Sequence, residues 1–253
     1  MRVGVALVLA TLTACVTTPI TGRKAFVGLS LEQDKELGAK AYAEMLAGAP
    51  LADQKPQAAQ VRKVVERLVE VAQKDVSIPF DWEVHLIDDP QTVNAWCLPG
   101  GKMAVYTGIL PVTQDAAGLA VVMGHEIGHA VARHGSERMT QSSGVDLVLA
   151  YVNGTYGGDY AALGSQLAAL AVILPWGRMQ ESEADEIGLI YMARAGYDPR
   201  AAVEFWKRMQ SMTGSGGPEW LSTHPSHATR IADLEAQLPR ALAEYEAAKA
   251  ARP

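Results

Sequence analysis

The pentapeptide His125-Glu126-Ile127-Gly128-His129 constrains this chain more than any other stretch. It follows the apolar run Leu119-Ala120-Val121-Val122-Met123, so a largely buried helix is expected around it. At about 100° per residue, histidines four apart share one helical face; both imidazoles can reach a single cation while Glu126 sits beside it. That is the HExxH arrangement of zinc hydrolases. The bland alternative is a surface helix with two solvated histidines. Gly128 speaks against it, because a mid-helix glycine costs about 1 kcal/mol relative to alanine and marks a place where something approaches the backbone closely.

The spacing predicts that this helix runs from about Asp115, a helix-starting residue, to His134, with Gly135 able to cap its end. His134 is nine residues past His125, about 180° round a straight helix, and cannot join the same metal there. A second acidic helix is expected over Arg178-Met179-Gln180-Glu181-Ser182-Glu183-Ala184-Asp185. Glu181 and Asp185 are four apart and share a face, so one carboxylate can bind metal while the other accepts a hydrogen bond from a ligating imidazole. Glu183, rotated about 200° from Glu181, is expected to face solvent. Catalytic zinc keeps three protein ligands and leaves a fourth position to water, so the two-histidine helix needs one more ligand.

The remaining patterns give an α+β chain, mostly α-helical, with a small antiparallel or mixed sheet beside the HExxH helix. Ser30 and Gln33 form a capping-box pattern opening a helix to about Met45. Val61, Val64, Val65, Leu68 and Val69 recur at helical spacing between about Ala58 and Lys74. Strands are expected at Asp81 to Ile87, Val93 to Leu98 and Met103 to Tyr106, with His85 read as a solvated or satisfied strand histidine. Gly154, Gly157 and Gly158 suggest a loop, and Leu167 to Leu174 a core helix too short to span a membrane. Asp198-Pro199 opens another helix, Gly214 to Gly217 is a connector, and His224-Pro225 begins a last helical pair interrupted at Pro239.

A net charge of −6 with no Lys/Arg cluster excludes nucleic acid as a partner and gives no electrostatic reason to seek an anionic membrane. The two cysteines, Cys15 and Cys97, indicate no disulfide framework. Arg2 precedes the apolar stretch Val3 to Leu12, and Leu12-Thr13-Ala14-Cys15 follows the pattern of an export signal too short to remain as a membrane span. Those four residues resemble the bacterial lipobox, which implies lipid attachment at Cys15. Val16 and Thr17 lack the aspartate of inner-membrane retention, so the same resemblance favours the outer membrane. The expected division is a signal peptide over 1–14, a lipid-anchored tether over 15–29, a zinc metallopeptidase domain over 30–238 and a helical tail over 239–253. The expected location is the bacterial periplasm, at the inner face of the outer membrane, held by the lipid alone.

Asn94-Ala95-Trp96-Cys97-Leu98-Pro99-Gly100-Gly101, His125 to His129, Glu181 to Asp185, Gly196-Tyr197-Asp198-Pro199, and His224-Pro225 with Arg230 occur in one order. With these stretches the chain resembles the zinc metallopeptidase family of the CAAX prenyl endoprotease and the HtpX-type proteases, especially its small periplasmic lipoprotein members. The resemblance spans about residues 80 to 235. It implies a gluzincin fold, one zinc per chain held by His125, His129 and Glu181, and endopeptidase activity on misfolded or unassembled envelope proteins. Outer-membrane assembly machinery is a further partner this reading admits. Glu126 is then the general base, and Asp185 orients a ligand, His125. Asn94, Ala95 and Trp96 would line the cleft as an edge strand to which substrate adds. His224 would either swing onto the open zinc position or, with Arg230, stabilise the developing oxyanion; the plainer role for His224 is a helix cap. The missing transmembrane helices of the best-known members set prenylated substrates aside. A rival class is a lipoprotein chaperone or assembly factor with a structural or latent zinc, and a third is a zinc hydrolase of cell-wall peptide.

Overall fold

The computed structural model describes residues 15–77, 79–143, 159–212, 218–224 and 229–251. The expected signal over 1–14, the glycines at 154, 157 and 158, the connector Gly214 to Gly217 and Pro225 lie outside these residues, as do the side chains of Leu167 to Leu174. Among the described residues no helix is long and apolar enough to cross a membrane.

The order is β1 (Cys15–Thr17), β2 (Lys24–Phe26), α1 (Leu31–Leu46), α2 (Pro56–Ala72), β3 (Glu83–Ile87), β4 (Ala95–Leu98) and β5 (Lys102–Tyr106). A short α3 (Leu110–Thr113), α4 (Ala116–Val131), α5 (134–143), α6 (Asp159–Arg194), α7 (Arg200–Ser211), α8 (Glu219–Thr223) and α9 (Arg230–Ala250) follow. The fold is mostly helical, with one three-stranded mixed sheet of order β3-β5-β4, parallel between β3 and β5 and antiparallel between β5 and β4. That leaves β4 on the edge nearest α4. The capping box forms as the sequence requires: Ser30 Oγ accepts from Gln33 N at 3.2 Å, and Gln33 Oε1 accepts from Ser30 N at 2.8 Å. Asp115 Oδ1 caps α4 by accepting from Gly118 N at 2.8 Å.

Helices α4 and α6 cross at the centre, and their small residues set how closely. A Cβ on Gly128 would lie 2.9 Å from the Ala184 carbonyl oxygen, and one on Gly188 would lie 2.7 Å from the backbone nitrogen of His125. Gly128 therefore does what its helix-propensity cost suggests: it lets a second backbone into contact behind the HEIGH turn. Around the crossing, Leu119, Val122, Met123 and Ile127 from α4 share one buried core with Ile187, Ile190 and Tyr191 from α6 and with Val61, Val65 and Leu68 from α2.

Three expectations about local structure give way. First, α4 ends at Val131 rather than His134, and Gly135 is not its cap. The chain breaks because Arg133 adopts φ 59°, the left-handed region that arginine seldom occupies. Its side chain fixes the break: Nε donates to Asp34 Oδ2 at 2.7 Å and Nη2 to the Leu29 carbonyl at 2.6 Å, while Ser136 Oγ donates to Asp34 Oδ1 at 2.6 Å. Second, residues 16–29, which carry no periodicity, form the β1-β2 hairpin, with Cys15 opposite Phe26, and Ala25 and Val27 bury themselves. Third, Pro239 does not interrupt the last helix, which runs from Arg230 to Ala250 with the proline inside it.

Candidate metal centre

Two helices supply the donors. From α4, His125 Nε2 and His129 Nε2 point at one another 3.0 Å apart, and from α6 Glu181 presents Oε2 at 3.4 Å from His125 Nε2 and Oε1 at 3.3 Å from His129 Nε2. Tetrahedral zinc with nitrogen ligands at about 2.05 Å would hold two such atoms about 3.3 Å apart, close to all three separations. Glu181 Oε2 is fully buried and accepts no hydrogen bond; Arg230 Nη1 stands 3.5 Å from it, and a metal ion among the three donors would satisfy it. His224 stands on the same side, and its ligand atom lies with those of His125, His129 and Glu181 inside a sphere of mutual distances no longer than 4.8 Å. The residues present fit a zinc ion.

The surroundings tune these groups. Burial penalises a charged His125, but the carboxylates of Asp185 and Glu181 outweigh it and raise its pKa to about 9 without metal. Burial also opposes ionisation of Asp185, which the Arg230 guanidinium and His125 nonetheless keep below the usual carboxylate range. His129 is pushed well down, chiefly by burial, and Glu181 is held far below the ordinary glutamate range because its two histidines override burial. A neutral His129 beside an anionic Glu181 is the protonation state metal binding requires.

Glu126 shares the HEIGH turn yet turns its carboxylate off the donor cluster. It is 3% exposed, Trp220 Nε1 donates to its Oε1 at 2.7 Å, and His224 Nε2 lies 3.6 Å from the same oxygen. Glu126 is thus placed beside the cation position without being one of its donors.

The sequence model of peptidase family M48 matches residues 55–238. The chain belongs to peptidase family M48. Members of this family are metalloendopeptidases that use zinc, and this chain is one of them. Among curated relatives, "Mitochondrial metalloendopeptidase OMA1" of Schizosaccharomyces pombe is 37% identical over 235 residues, 90% of this chain and 68% of the relative. "Metalloendopeptidase OMA1, mitochondrial" of Homo sapiens is 35% identical over 243 residues, 89% of this chain and 46% of the relative. "Beta-barrel assembly-enhancing protease" of Escherichia coli O157:H7 is 29% identical over 230 residues, 86% of this chain and 46% of the relative. The chain therefore spans about two thirds of the fission-yeast relative and under half of the other two.

For this M48 chain the structure brings together His125, Glu126, His129, Glu181, Asp185 and His224. Asp185 Oδ1 accepts from His125 Nδ1 at 2.8 Å, the partner the sequence suggests. Arg230 is held chiefly by Asp185. It is 0% exposed, its Nη2 donates to Asp185 Oδ1 at 2.7 Å, its Nε lies 2.6 Å from Asp185 Oδ2, and its guanidinium stacks 3.5 Å over the Trp206 ring. Its Nη2 stands 3.3 Å from His125 Nδ1, and its Nη1 comes within 3.5 Å of Glu181 Oε2, so the guanidinium borders the donor cluster while Asp185 holds it. Ala95 and Trp96 lie in edge strand β4 and Asn94 just before it, so the strand starts two residues later than expected; Asn94 Nδ2 donates to Glu219 Oε1 at 3.3 Å, and Trp96 packs edge-on against Tyr42.

Two features escaped the sequence reading. Trp220, fully buried and stacked on Trp206 while donating to Glu126, carried no spacing signal. Glu183 does not face solvent: it is 5% exposed and accepts from His134 Nε2 at 2.9 Å, while His134 Nδ1 lies 2.8 Å from His129 Nδ1. The helix break at Arg133 swings His134 back towards the centre. Burial opposes the charge on Glu183, but His134, Thr18, Thr21 and Arg23 bring its pKa down to about 2.

Proposed function

We propose that this chain is an envelope quality-control endopeptidase, lipid-anchored through Cys15 at the periplasmic face of the outer membrane, that cleaves misfolded or unassembled envelope proteins. The observation that carries the peptidase reading is the Glu126 carboxylate, held beside the metal position of His125, His129 and Glu181, with His224 in reach, and not itself one of the grouped donors. A purely structural zinc closes its fourth position with protein and has no use for a base. The lipobox-like Leu12-Thr13-Ala14-Cys15 supports the anchored, exported setting, and the name of the E. coli relative, a beta-barrel assembly-enhancing protease, supports work on β-barrel protein assembly.

In this reading His125, His129 and Glu181 hold the zinc. When bound, it supplies Lewis acidity that lowers the pKa of a water to about 7 and polarises the scissile carbonyl. Glu126 takes a proton at its free oxygen and returns it to the departing amine, while the Trp220 indole fixes the other oxygen and the carboxylate's rotation. Asp185 accepts from His125 Nδ1 and so keeps the lone pair of Nε2 directed at the donors, with Arg230 holding Asp185 in turn. His224 closes the open side over Glu126. Edge strand β4 offers its free backbone groups to an extended substrate, which would add as a strand beside it.

The test is a pair of variants. Glu126→Gln should retain about one zinc per chain and lose proteolysis, whereas Glu181→Ala should lose zinc, since only the second is a ligand. A zinc-free wild type would overturn the reading, and envelope proteins trapped on Glu126→Gln would name the substrates. For the anchor, Cys15→Ala should release the protein from membranes into the soluble fraction; retention through a carbonate wash would contradict it.

A further inference from the structure

Unlike His125, His129 has no carboxylate on its far nitrogen. Its Nδ1 meets His134 Nδ1 at 2.8 Å instead, and His134 Nε2 meets Glu183 Oε2 at 2.9 Å. The proton inventory allows one arrangement if His129 uses Nε2 as a ligand. His129 carries its proton on Nδ1 and donates it to His134 Nδ1; His134 then carries its own on Nε2 and donates it to Glu183. Glu183 accepts throughout, and the N-terminal hairpin fills its other lone pairs. Thr18 Oγ1 donates to Oε1 at 2.6 Å, the Thr21 hydroxyl donates to the same oxygen, and Arg23 Nε donates to Oε2 at 2.5 Å. Arg23 also grips Glu137 with Nη1 and Nη2, each at 2.8 Å, and Gln180 Nε2 donates to Glu137 Oε2 at 2.8 Å.

We infer that His134 and Glu183 are positioning residues for zinc, acting through His129, and that the segment Thr18 to Arg23 is a working part of the metal centre. The inference rests on the ligand assignment above. Its physical content is a relay: the charge on Glu183 reaches His129 through one neutral imidazole and makes Nε2 a better donor, as a direct carboxylate does for His125. The hairpin keeps Glu183 turned inward although helical periodicity points it outward. Both links of the relay are buried, so water does not substitute for either partner.

The test is zinc affinity of the purified full chain by competition with a chromophoric chelator, alongside thermal unfolding of the metal-free form and the visible spectrum after cobalt substitution. His134→Leu removes the acceptor for His129 Nδ1 and should weaken zinc about 10–100-fold, with a shifted cobalt band. His134→Asn, whose amide oxygen can stand near the Nδ1 position, should restore affinity to within about threefold of wild type. Glu183→Gln should weaken zinc by about 3–10-fold, less than the loss of the acceptor itself. Unchanged affinity in His134→Leu, or losses in the leucine and asparagine variants that simply follow their metal-free melting temperatures, would overturn the relay. If His134→Leu does not fold, Arg23→Gln at the hairpin surface decides: about threefold weaker zinc with a shifted cobalt band supports the inference, and wild-type values overturn it. His129→Ala separates the two levels. Zinc binding indifferent to that change refutes the ligand assignment, whereas a loss there beside an indifferent His134→Leu refutes the relay alone.

Discussion

His125 and His129 lie one helical turn apart and are held from behind in opposite ways. Behind His125 the partner is immediate, an aspartate on α6 locked by a fully buried arginine that arrives at the start of α9. Behind His129 the partner is indirect, an imidazole from α5, then a glutamate, then an arginine whose side chain is 15% exposed on the N-terminal hairpin. The same task, fixing the orientation of one nitrogen, is done once by a dry charge pair and once by a hydrogen-bonded chain that ends at the surface. The difference teaches which side is rigid by necessity: an ion pair in a dry interior cannot lose one member, whereas a chain reaching solvent can exchange its last link for water.

The largest expected effect tests that asymmetry directly. Arg230→Met strands the Asp185 carboxylate in the interior and should cost about 3–5 kcal/mol in denaturant unfolding of the metal-free protein. A loss under 1 kcal/mol would show that the His125 side is no more committed than the other. Next, Asp185→Asn keeps a hydrogen-bond acceptor for His125 while removing the charge, and should weaken zinc about 10–100-fold, more than Glu183→Gln does across the relay. Equal losses in chelator competition would erase the distinction between direct and relayed charge. The smallest effect belongs to Arg23→Met, which should cost about 1–2 kcal/mol, because Glu183 keeps His134 and two hydroxyls and Glu137 keeps Gln180 and gains water.

The parts of the centre legible in the sequence are those governed by local periodicity. His125 with His129, and Glu181 with Asp185, each sit four apart on continuous helix, so their facing follows from 3.6 residues per turn. The strand pattern likewise placed the three strands, with antiparallel and mixed pairing both open; the structure is mixed. Periodicity misled where a distant element decides the outcome. Glu183 is on the outward face of α6 by rotation alone, and only a hairpin some 160 residues away in sequence makes that face interior. His134 was placed by extending a straight helix, but Arg133 in a left-handed conformation is imposed by Asp34 and the Leu29 carbonyl, and nothing in the local sequence announces it. Arg230 was expected beside His224 on the strength of the family resemblance, and its hold on the buried carboxylate of Asp185, with Nη1 3.5 Å from Glu181, could not be read from spacing.

Arg23 and Arg230 end on carboxylates two residues apart on a single turn of α6, and that meeting governs when the enzyme comes into being. A ribosome delivering this chain completes the HEIGH helix long before the helix that carries Glu181, and Arg230 follows later still. A growing polypeptide therefore carries two histidines and a glutamate with no third donor to gather a metal around them. Because contacts of long sequence separation close late in folding, the metal centre is complete only once the hairpin, the HEIGH helix and the helix bearing Glu181 have met.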